Sequence, residues 1–363
     1  MAFLPDIIRR KIKITLADAF DAARVGNRQL PTSTMYFAEP LADCIGTRLD
    51  GRERPIRKVS NTVFTCGDAV IVIRYMGPRL LPLLQERRFK WVYLVVDDDL
   101  YALHENDGLP ADYRQRLIRY RDGVMQDLLD QVTHVVAPSE RILARYRRKQ
   151  AIKLDPAQCH MAGGLGHHRG GKGLDVVFAG TRSHLLDLGF VAEEIAAFLK
   201  AQPEARLTTF LNGHAPKALR NLPNALHLPM MGWNRYRAFV AQNRFHVAIA
   251  PALDTDFNQA RSVSKVHEHA AFGAAGIYSR QPPFSDIVDD GRSGLLLPNE
   301  PQRWRNVLFE LAGRRDTTEA LAAEGQDLSR RLGDTLRVRN FWLEQLGLSP
   351  GQRQLDEGLI TIR

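Results

Sequence analysis

Short apolar runs of strand length alternate with longer helical patterns along this 363-residue chain. Residues 69–75 and 91–96 are two such runs, rich in Val and Ile, and residues 117–129 place apolar side chains at helical spacing. Strands that alternate with helices in this way form a parallel sheet with helices on its faces. The pattern therefore predicts an α/β fold.

The alternation falls into two series, separated by a glycine-dense segment. Residues 161–173 hold six glycines and few apolar side chains, which is typical of an interdomain linker. We therefore predict a first Rossmann-like domain over residues 1–160 and a second, doubly wound domain over residues 174–335. Residues 336–363 are predicted to form a final helix that returns toward the first domain.

The composition is that of an ordinary globular protein. Hydrophobic residues make up 44% of the chain and charged residues 25%, which argues against disordered, fibrous and membrane-spanning classes. Three widely spaced cysteines without CxxC pairing favour a reducing compartment over a disulfide framework or a zinc site. The adjacent His167 and His168 have no third ligand at metal spacing. We therefore expect a cytoplasmic protein without a metal site.

The formal charge of +9 favours an anionic partner, but does not distinguish nucleotide diphosphates, nucleic acid and anionic lipid. Residues 3–14 mix apolar and basic side chains and lack the features of a secretory signal. They suit either a peripheral contact at the inner membrane surface or the solvated end of a helix or strand. Elsewhere Arg and Lys are dispersed, without a nucleic-acid-binding motif, so nucleic acid is not an expected partner.

Two loops of the second series have side chains suited to an anionic ligand. Ligands of open parallel sheets bind beyond the carboxyl ends of the strands, where loops meet helix N-termini. Gly180, Arg182 and Ser183 follow one predicted strand; the glycine permits close backbone approach, and the arginine offers a planar fork for phosphate. Residues 258–268 follow another strand, which ends at residue 251.

The second loop combines cations with a carboxylate. Arg261 and Lys265 are four residues apart, and Ser262, Lys265 and Glu268 follow at intervals of three. If the segment opens a helix, these side chains share one face near its N-terminus. Such a face suits a nucleotide diphosphate, because cations neutralise phosphates and a carboxylate accepts hydrogen bonds from ribose hydroxyls. The alternative interpretation is an ion-paired, solvated helix face.

The order of these motifs resembles the donor-binding region of GT-B glycosyltransferases, especially the family 4-like retaining group. Residues 257–268, the small-residue segment 273–279 and the D-G-x-x-G-L-L motif at 290–296 carry the resemblance. The loop at Gly180 is similar to the first donor-domain loop of that family, and residues 135–140 resemble the last strand and helix of its acceptor domain. The matches span about two-thirds of the chain, and they imply two Rossmann-like domains that face a central cleft.

The resemblance implies an enzyme that moves a sugar from a nucleotide-sugar donor to a hydroxyl of a glycan or glycoconjugate. It further implies retention at the anomeric carbon, as in polysaccharide biosynthesis enzymes of this group. No metal or cofactor is expected, since side chains and a helix N-terminus supply the charge that stabilises the departing nucleotide. The implied donor site consists of Gly180, Arg182, Ser183, Arg261, Ser262, Lys265 and Glu268.

Within that site, the resemblance assigns roles to individual side chains. Lys265, with Arg182 or Arg261, faces the donor diphosphate, and Glu268 faces the ribose. The E-x7-E pattern of the family places an acid at position 260, where this chain has Ala260. The contacts to the sugar ring therefore stay open. A catalytically degenerate GT-B protein, which binds nucleotide or glycan without turnover, is the alternative that this missing acid favours.

An acidic triplet, Asp97, Asp98 and Asp99, follows the predicted strand at residues 91–96. In GT-A glycosyltransferases, carboxylates of a DxD element hold a divalent cation at the donor phosphates, so a metal-dependent GT-A-like transferase is a further alternative. A second α/β series with phosphate-type loops argues against it. We predict Asp98 and Asp99 as catalytic candidates in the cleft. One of them would act as base, position an acceptor hydroxyl or stabilise oxocarbenium-like charge, while the others cap the next segment.

Overall fold

The computed structural model describes residues 29–46, 54–86, 89–104 and 108–349, and two β-sheets form its framework. The basic stretch at residues 3–14, considered above for a membrane contact, lies outside the described residues, as do residues 350–363. Among the residues that are described, no helix is both long and apolar enough to span a bilayer.

Seven strands form the first sheet, and they are ordered across it as they occur along the chain. Strands β4 to β7 pair in parallel, whereas β3 pairs antiparallel with both of its neighbours. The strands are β1 Ile45–Gly46, β2 Ile56–Lys58, β3 Val63–Cys66, β4 Ala69–Ile73, β5 Trp91–Val95, β6 His134–Ala137 and β7 Gln150–Lys153.

Six parallel strands form the second sheet in the order β10-β9-β8-β11-β12-β13, which is the Rossmann order. From β8 the chain adds β9 and β10 on one side of the sheet and then β11 to β13 on the other side. A crevice therefore opens between β8 and β11, at their carboxyl ends. The strands are β8 Asp175–Phe178, β9 Arg206–Thr209, β10 Ala225–His227, β11 Val247–Ala250, β12 Ala275–Ser279 and β13 Leu295–Leu297.

Helices cover the faces of both sheets. For example, Leu188 and Ile195 of α6 pack with Trp304 and Leu308 of α11 on the second sheet. The helices are α1 Pro31–Ser33, α2 Leu81–Glu86, α3 Ala111–Asp122, α4 Val124–Gln131, α5 Glu140–Leu143, α6 Leu185–Ala201, α7 Lys217–Arg220, α8 Trp233–Gln242, α9 Asp256–Gln259, α10 Ser264–Ala271, α11 Pro301–Ala312, α12 Arg315–Leu332 and α13 Thr335–Gln345.

Two hydrophobic clusters cover the faces of the first sheet, and each includes side chains from the C-terminal half of the chain. Phe257 and Ala260 are fully buried in one cluster. Trp342 of α13 is fully buried in the other, where its ring lies 5.0 Å from that of Phe37 and its Nε1 donates to the carbonyl oxygen of Tyr36 at 2.6 Å. Burial of large aromatic rings thus joins the two halves of the molecule.

The glycine-dense segment between the sheets includes a short 3₁₀ turn, Gly166–Arg169. His168 is fully buried there, and its ring nitrogens lie 2.8 Å from the Thr318 hydroxyl and 2.8 Å from the carbonyl oxygen of Gly273. Nε2 of His167 lies 2.9 Å from the carbonyl oxygen of Phe245. These bonds anchor the connecting segment to the second domain, which gives both histidines a structural role.

The predicted strands are confirmed with end shifts of one or two residues. The runs at 69–75 and 91–96 become β4 and β5, and the strand predicted to end at residue 251 becomes β11. The α/β fold with largely parallel sheets is therefore as the sequence predicts.

Candidate active site

A cavity of 360 Å³ lies between the two sheets, at the carboxyl ends of their central strands. The first domain lines it with residues that follow β4 and β5, and the second with residues that follow β8 and β11. Polar and charged lining residues include Thr32, Tyr36, Arg74, Asp97, Asp98, Tyr113, Ser183, His184, Tyr236, Arg237, Arg261, Ser262, Ser264, Lys265 and Glu268. Convergent polar groups at such a crevice are what a ligand site requires.

The loop that carries the predicted cationic face is fixed against the first domain. The Thr255 side chain caps α9 by accepting from the Asn258 N–H at 3.2 Å, and this one-turn helix directs Phe257 into the first-domain core. The hydroxyl of Ser139 donates to the carbonyl oxygen of Ala260 at 2.7 Å, and the Ala260 side chain is fully buried. An acid at position 260 would therefore lie in an apolar cluster.

The expected single helix face across this segment is wrong, because the segment breaks into two helices. The chain leaves α9 after residue 259, and α10 begins at Ser264, where the Ser262 hydroxyl oxygen accepts from the Ser264 N–H at 3.4 Å. Arg261 and Ser262 thus precede α10, and only Lys265 and Glu268 lie on it. All four nevertheless line the cavity.

Lys265 and Glu268 form an ion pair on α10. Nζ of Lys265 also donates to the carbonyl oxygen of Ala179 at 2.7 Å, and the hydroxyl of Tyr236 donates to Glu268 Oε1 at 3.0 Å. Burial raises the pKa of Tyr236, and the charge of Glu268 adds to this. The phenol therefore stays protonated as a donor, and the lysine charge is already balanced.

Arg261 differs from the other Arg and Lys side chains that line the cavity. Arg74 pairs with Asp97 and Asp98, Arg237 pairs with Glu39, and Lys265 pairs with Glu268. In the part of the chain that the structure describes, Arg261 makes no ion pair, and its buried Nε has no hydrogen-bond partner. Its guanidinium lies 4.8 Å from the centroid of the Phe257 ring. Of these four cationic side chains, Arg261 is therefore the one whose charge no carboxylate balances in an ion pair, among the described residues.

Nη1 of Arg261 contacts the imidazole of His184, at 2.8 Å from Nε2 and 2.7 Å from Nδ1. Nδ1 also lies 3.1 Å from Oδ2 of Asp187, a carboxylate that is 1% exposed. Burial and the charge of Arg261 lower the pKa of His184 to about 4. Burial opposes ionisation of Asp187, but the hydrogen bond with His184 and nearby positive charge lower its pKa overall. At neutral pH, a neutral imidazole therefore joins a carboxylate to an arginine.

The opposite wall of the cavity is acidic. Arg74 has a left-handed backbone, φ +64°, at the end of β4, and it binds Asp98 and, at 3.1 Å, Asp97. The hydroxyl of Thr32 donates to the same Asp97 oxygen at 2.5 Å. Burial raises the pKa of Asp97, against the lowering effect of Arg74. Two carboxylates and one cation leave this wall with a net negative charge when both are ionised.

Of the predicted catalytic candidates, the structure brings Asp98 to the cavity and turns Asp99 away from it. Asp99 is 2% exposed, binds Arg145 at 3.0 Å and accepts from the Tyr101 N–H at 3.0 Å. It therefore fixes the turn after β5, as a capping carboxylate does. Asp97, the third member of the triplet, lines the cavity with Asp98.

The predicted residues of the loop after β8 also differ in whether they line the cavity. Ser183 lines the cavity, whereas Arg182 is exposed and pairs with Asp112 at 3.0 Å. Gly180 does not line the cavity; a Cβ at this position would lie 2.3 Å from the ring of Phe178. Packing inside the second domain, rather than approach to a ligand, thus requires this glycine.

Several cavity residues were not predicted from the sequence, and five polar side chains of the site are among them. Arg74 could have been predicted. It directly follows β4, and the acidic triplet Asp97–Asp99 follows the adjacent parallel strand β5 in the same way. His184 and Tyr236 had no signal beyond a position in a loop or helix, and Tyr36 lies in a π-helical turn, Thr34–Ala38. The fifth, Tyr113, lies on α3. Within the described ranges, no group of three or more His, Cys, Asp and Glu side chains is arranged to hold a metal ion.

No protein-family model matches the chain, and no curated protein matches its sequence. Solved structures do match it. Staphylococcus aureus TarM in complex with fondaparinux, α-GlcNAc-glycerol and UDP superposes with a TM-score of 0.53 at 11% identity, over 74% of this chain and 54% of TarM. The chain thus spans about half the length of TarM.

Two other solved structures are similar over larger shares of their own length. Anabaena HepE in complex with UDP-glucose gives a TM-score of 0.51 at 12% identity, over 74% of each chain. Sucrose-phosphate synthase from Thermosynechococcus elongatus gives 0.53 at 12% identity, over 85% of this chain and 90% of that one. These likenesses concern the fold. The chain has the GT-B glycosyltransferase fold, in which two Rossmann-like domains face a central cleft.

Proposed function

We propose that this protein is a nucleotide-sugar glycosyltransferase and that Arg261 binds the diphosphate of the donor. The observation that carries the proposal is the absence of an ion pair at Arg261, among the described residues, in a cavity whose other Arg and Lys side chains are paired. A guanidinium that no carboxylate pairs with favours an anionic ligand such as a diphosphate.

The surroundings of Arg261 support the same ligand. It follows β11 at the crevice of a Rossmann sheet, where nucleotides bind in folds of this type. The hydroxyls of Ser183, Ser262 and Ser264 line the cavity beside it, and α10 directs its N-terminus there. TarM and HepE, which are similar in fold, are known in complexes with UDP and UDP-glucose.

Glu268 would accept hydrogen bonds from the ribose hydroxyls, and Lys265 would assist at the diphosphate. Because Glu268 already balances Lys265, the lysine contributes less to anion binding than Arg261 does. Arg182 contributes little in this account, since it is exposed and bound to Asp112. Gly180 acts through packing alone.

The acidic wall would receive the acceptor. Asp97 and Asp98 lie across the cavity from Arg261 and offer carboxylate oxygens to a hydroxyl of a glycan or glycoconjugate. When the bond between the anomeric carbon and the diphosphate breaks, Arg261 would stabilise the charge that develops on the leaving group. The family 4-like subgroup, retention at the anomeric carbon and independence from a metal ion are parts of this proposal. In it Arg74, rather than a divalent cation, binds Asp97 and Asp98.

Incubation of the purified chain with a panel of UDP-, GDP-, dTDP- and CMP-sugars tests the proposal. We expect slow release of the nucleotide from at least one donor, accelerated by addition of the correct acceptor. Arg261→Gln should suppress that release, while Arg182→Gln should leave it within about twofold. Binding of a nucleotide without release from any donor would indicate a catalytically degenerate protein instead.

A further inference from the structure

A chain of polar groups lies behind Arg261, and it crosses the crevice of the second sheet. Asp187 lies on α6, which follows β8, and its Oδ1 accepts from the Leu253 N–H and from Asn258 Nδ2, each at 2.9 Å. Its Oδ2 faces Nδ1 of His184 at 3.1 Å. His184 in turn contacts Nη1 of Arg261. The carboxylate thus joins the loops that follow β8 and β11.

The partners of His184 determine which ring nitrogen carries the proton. Asp187 is ionised at neutral pH and can only accept, so Nδ1 of the imidazole must donate to it. In a neutral ring, the lone pair then lies on Nε2. Nη1 of Arg261, which can only donate, lies 2.8 Å from Nε2 and 2.7 Å from Nδ1. Of the two ring nitrogens, only Nε2 can accept a hydrogen bond from it in this tautomer.

A neutral acceptor holds an arginine differently from a carboxylate. The carboxylates of Asp97 and Asp98 fix Arg74 and also balance its charge. An uncharged imidazole fixes the position of a guanidinium and leaves more of its positive charge for a ligand than a directly bound carboxylate does. His184 has this property as long as Asp187 keeps the proton on Nδ1.

We propose that His184 and Asp187 are positioning residues for the donor site. Asp187 fixes the tautomer of His184, and His184 orients Arg261 toward the donor diphosphate without balancing its charge. The inference rests on the proposed function, in which Arg261 binds that diphosphate. Neither residue needs to touch the substrate.

The variant Asp187→Asn tests the tautomer directly, because it conserves shape. The asparagine oxygen can keep the two bonds to Leu253 and Asn258, which directs the amide nitrogen toward Nδ1 of His184. The amide would then donate to Nδ1 and place the ring proton on Nε2, opposite a donor of Arg261. We expect the affinity for UDP or GDP, whichever the wild type binds, to fall by roughly tenfold.

A second substitution separates a positioning role from a structural one. In the double variant Asp187→Asn with His184→Gln, the glutamine oxygen has two lone pairs, so it can accept both from the amide at position 187 and from Nη1 of Arg261. We therefore expect the double variant to recover most of the lost affinity, a coupling that a general weakening of the fold would not give. Asp175→Asn is the matched control. Asp175 lies 3.5 Å from His246 in a second Asp–His pair, and neither residue lines the cavity.

Calorimetric titration with UDP and GDP decides the outcome. Weaker binding by Asp187→Asn, recovery in the double variant and unchanged binding by Asp175→Asn support the inference. Unchanged affinity in Asp187→Asn overturns it and leaves the proposed function standing, whereas a wild type that binds no nucleoside diphosphate overturns both. If Asp187→Asn does not fold, His184→Gln and His184→Leu replace it. Affinity kept within about threefold by Gln and lost about tenfold with Leu supports the inference, and equal affinities overturn it.

Discussion

Arg74 and Arg261 face one cavity from opposite domains, and they differ in how their charges are balanced. Arg74 binds two carboxylates, Asp97 and Asp98. Arg261 contacts the neutral imidazole of His184 and makes no ion pair within the described part of the chain. The comparison teaches that the neighbours of an arginine, rather than its presence in a cleft, decide whether it can receive an anionic ligand.

The difference follows from the strands that carry the two residues. Arg74 directly follows β4, and Asp97 and Asp98 follow the adjacent parallel strand β5, so backbone pairing brings opposite charges together. Arg261 lies in a loop that Phe257 anchors in the first-domain core. Its side chain meets the residues that follow β8, where His184 stands and the carboxylate of Asp187 lies behind the ring.

Arg74→Gln has the largest expected effect, and it concerns stability. Removal of the guanidinium leaves Asp97 and Asp98 close together without a cation, which should lower the free energy of unfolding by about 3 kcal/mol. The affinity for a nucleoside diphosphate should change little in the folded fraction. Chemical denaturation measures the first quantity and calorimetry the second. Loss of nucleotide affinity at unchanged stability would reverse the roles that we assign to the two arginines.

The pH dependence of stability tests the neutral state of His184. Its pKa is about 4 in the folded protein and has an ordinary value near 6.5 in the unfolded chain. As the pH falls from 7 to 5, the unfolded chain takes up a proton that the folded state refuses, so stability is lost. The wild type should therefore lose about 2 kcal/mol more than His184→Gln over this interval.

Denaturation curves of the two proteins at pH 7, 6 and 5 give this difference. The buried His168 and His267, whose pKa values are also lowered to about 4, contribute equally to both proteins and cancel. Parallel pH profiles for wild type and variant would mean that His184 titrates normally. Arg261 would then no longer differ from Arg74 in having an uncharged partner.

Glu268→Gln should have a smaller effect, with opposite signs for two ligands. Inorganic pyrophosphate has no ribose, so release of Lys265 from its ion pair should strengthen binding by about threefold. A nucleoside diphosphate loses an acceptor for its ribose hydroxyls and should bind about threefold more weakly. Calorimetry with both ligands measures the two changes. Equal changes for both ligands would remove the ribose role from Glu268.

Lys265→Gln provides the smallest expected effect on anion binding. Since Glu268 already balances the lysine, we expect an affinity loss of about twofold for a nucleoside diphosphate. The same titration measures it beside Arg261→Gln. A loss as large as that of Arg261→Gln would show that the ion pairs of the unliganded cavity do not indicate which cation contributes most to anion binding.

Local patterns were sufficient to predict the fold and the position of the two donor loops. The strands β4, β5, β8 and β11 are continuous apolar runs, and a Rossmann sheet places the loops after β8 and β11 at one crevice. The sequence could not indicate where the helix after β11 would break. That break depends on Phe257 reaching the core of the other domain.

The charge balance of the site also depends on distant contacts. Arg261 and His184 are 77 residues apart, and Arg182 is removed from the site by a partner 70 residues away, Asp112. Asp99 looks equivalent to Asp98 in the sequence, yet it binds Arg145 from a neighbouring element. No local sequence pattern shows which of these residues reach the site, because their roles follow from packing between elements.

The affinity of Arg261→Gln for the nucleoside diphosphate that the wild type binds tests the central claim most directly. Calorimetric titration should compare it with Arg182→Gln, which removes an exposed, ion-paired arginine from the same domain. We predict a loss of about thirtyfold for Arg261→Gln, the value of a charge-assisted hydrogen bond of about 2 kcal/mol, and less than about twofold for Arg182→Gln. Equal affinities in the two variants would contradict the assignment of Arg261 as the cation that binds the donor.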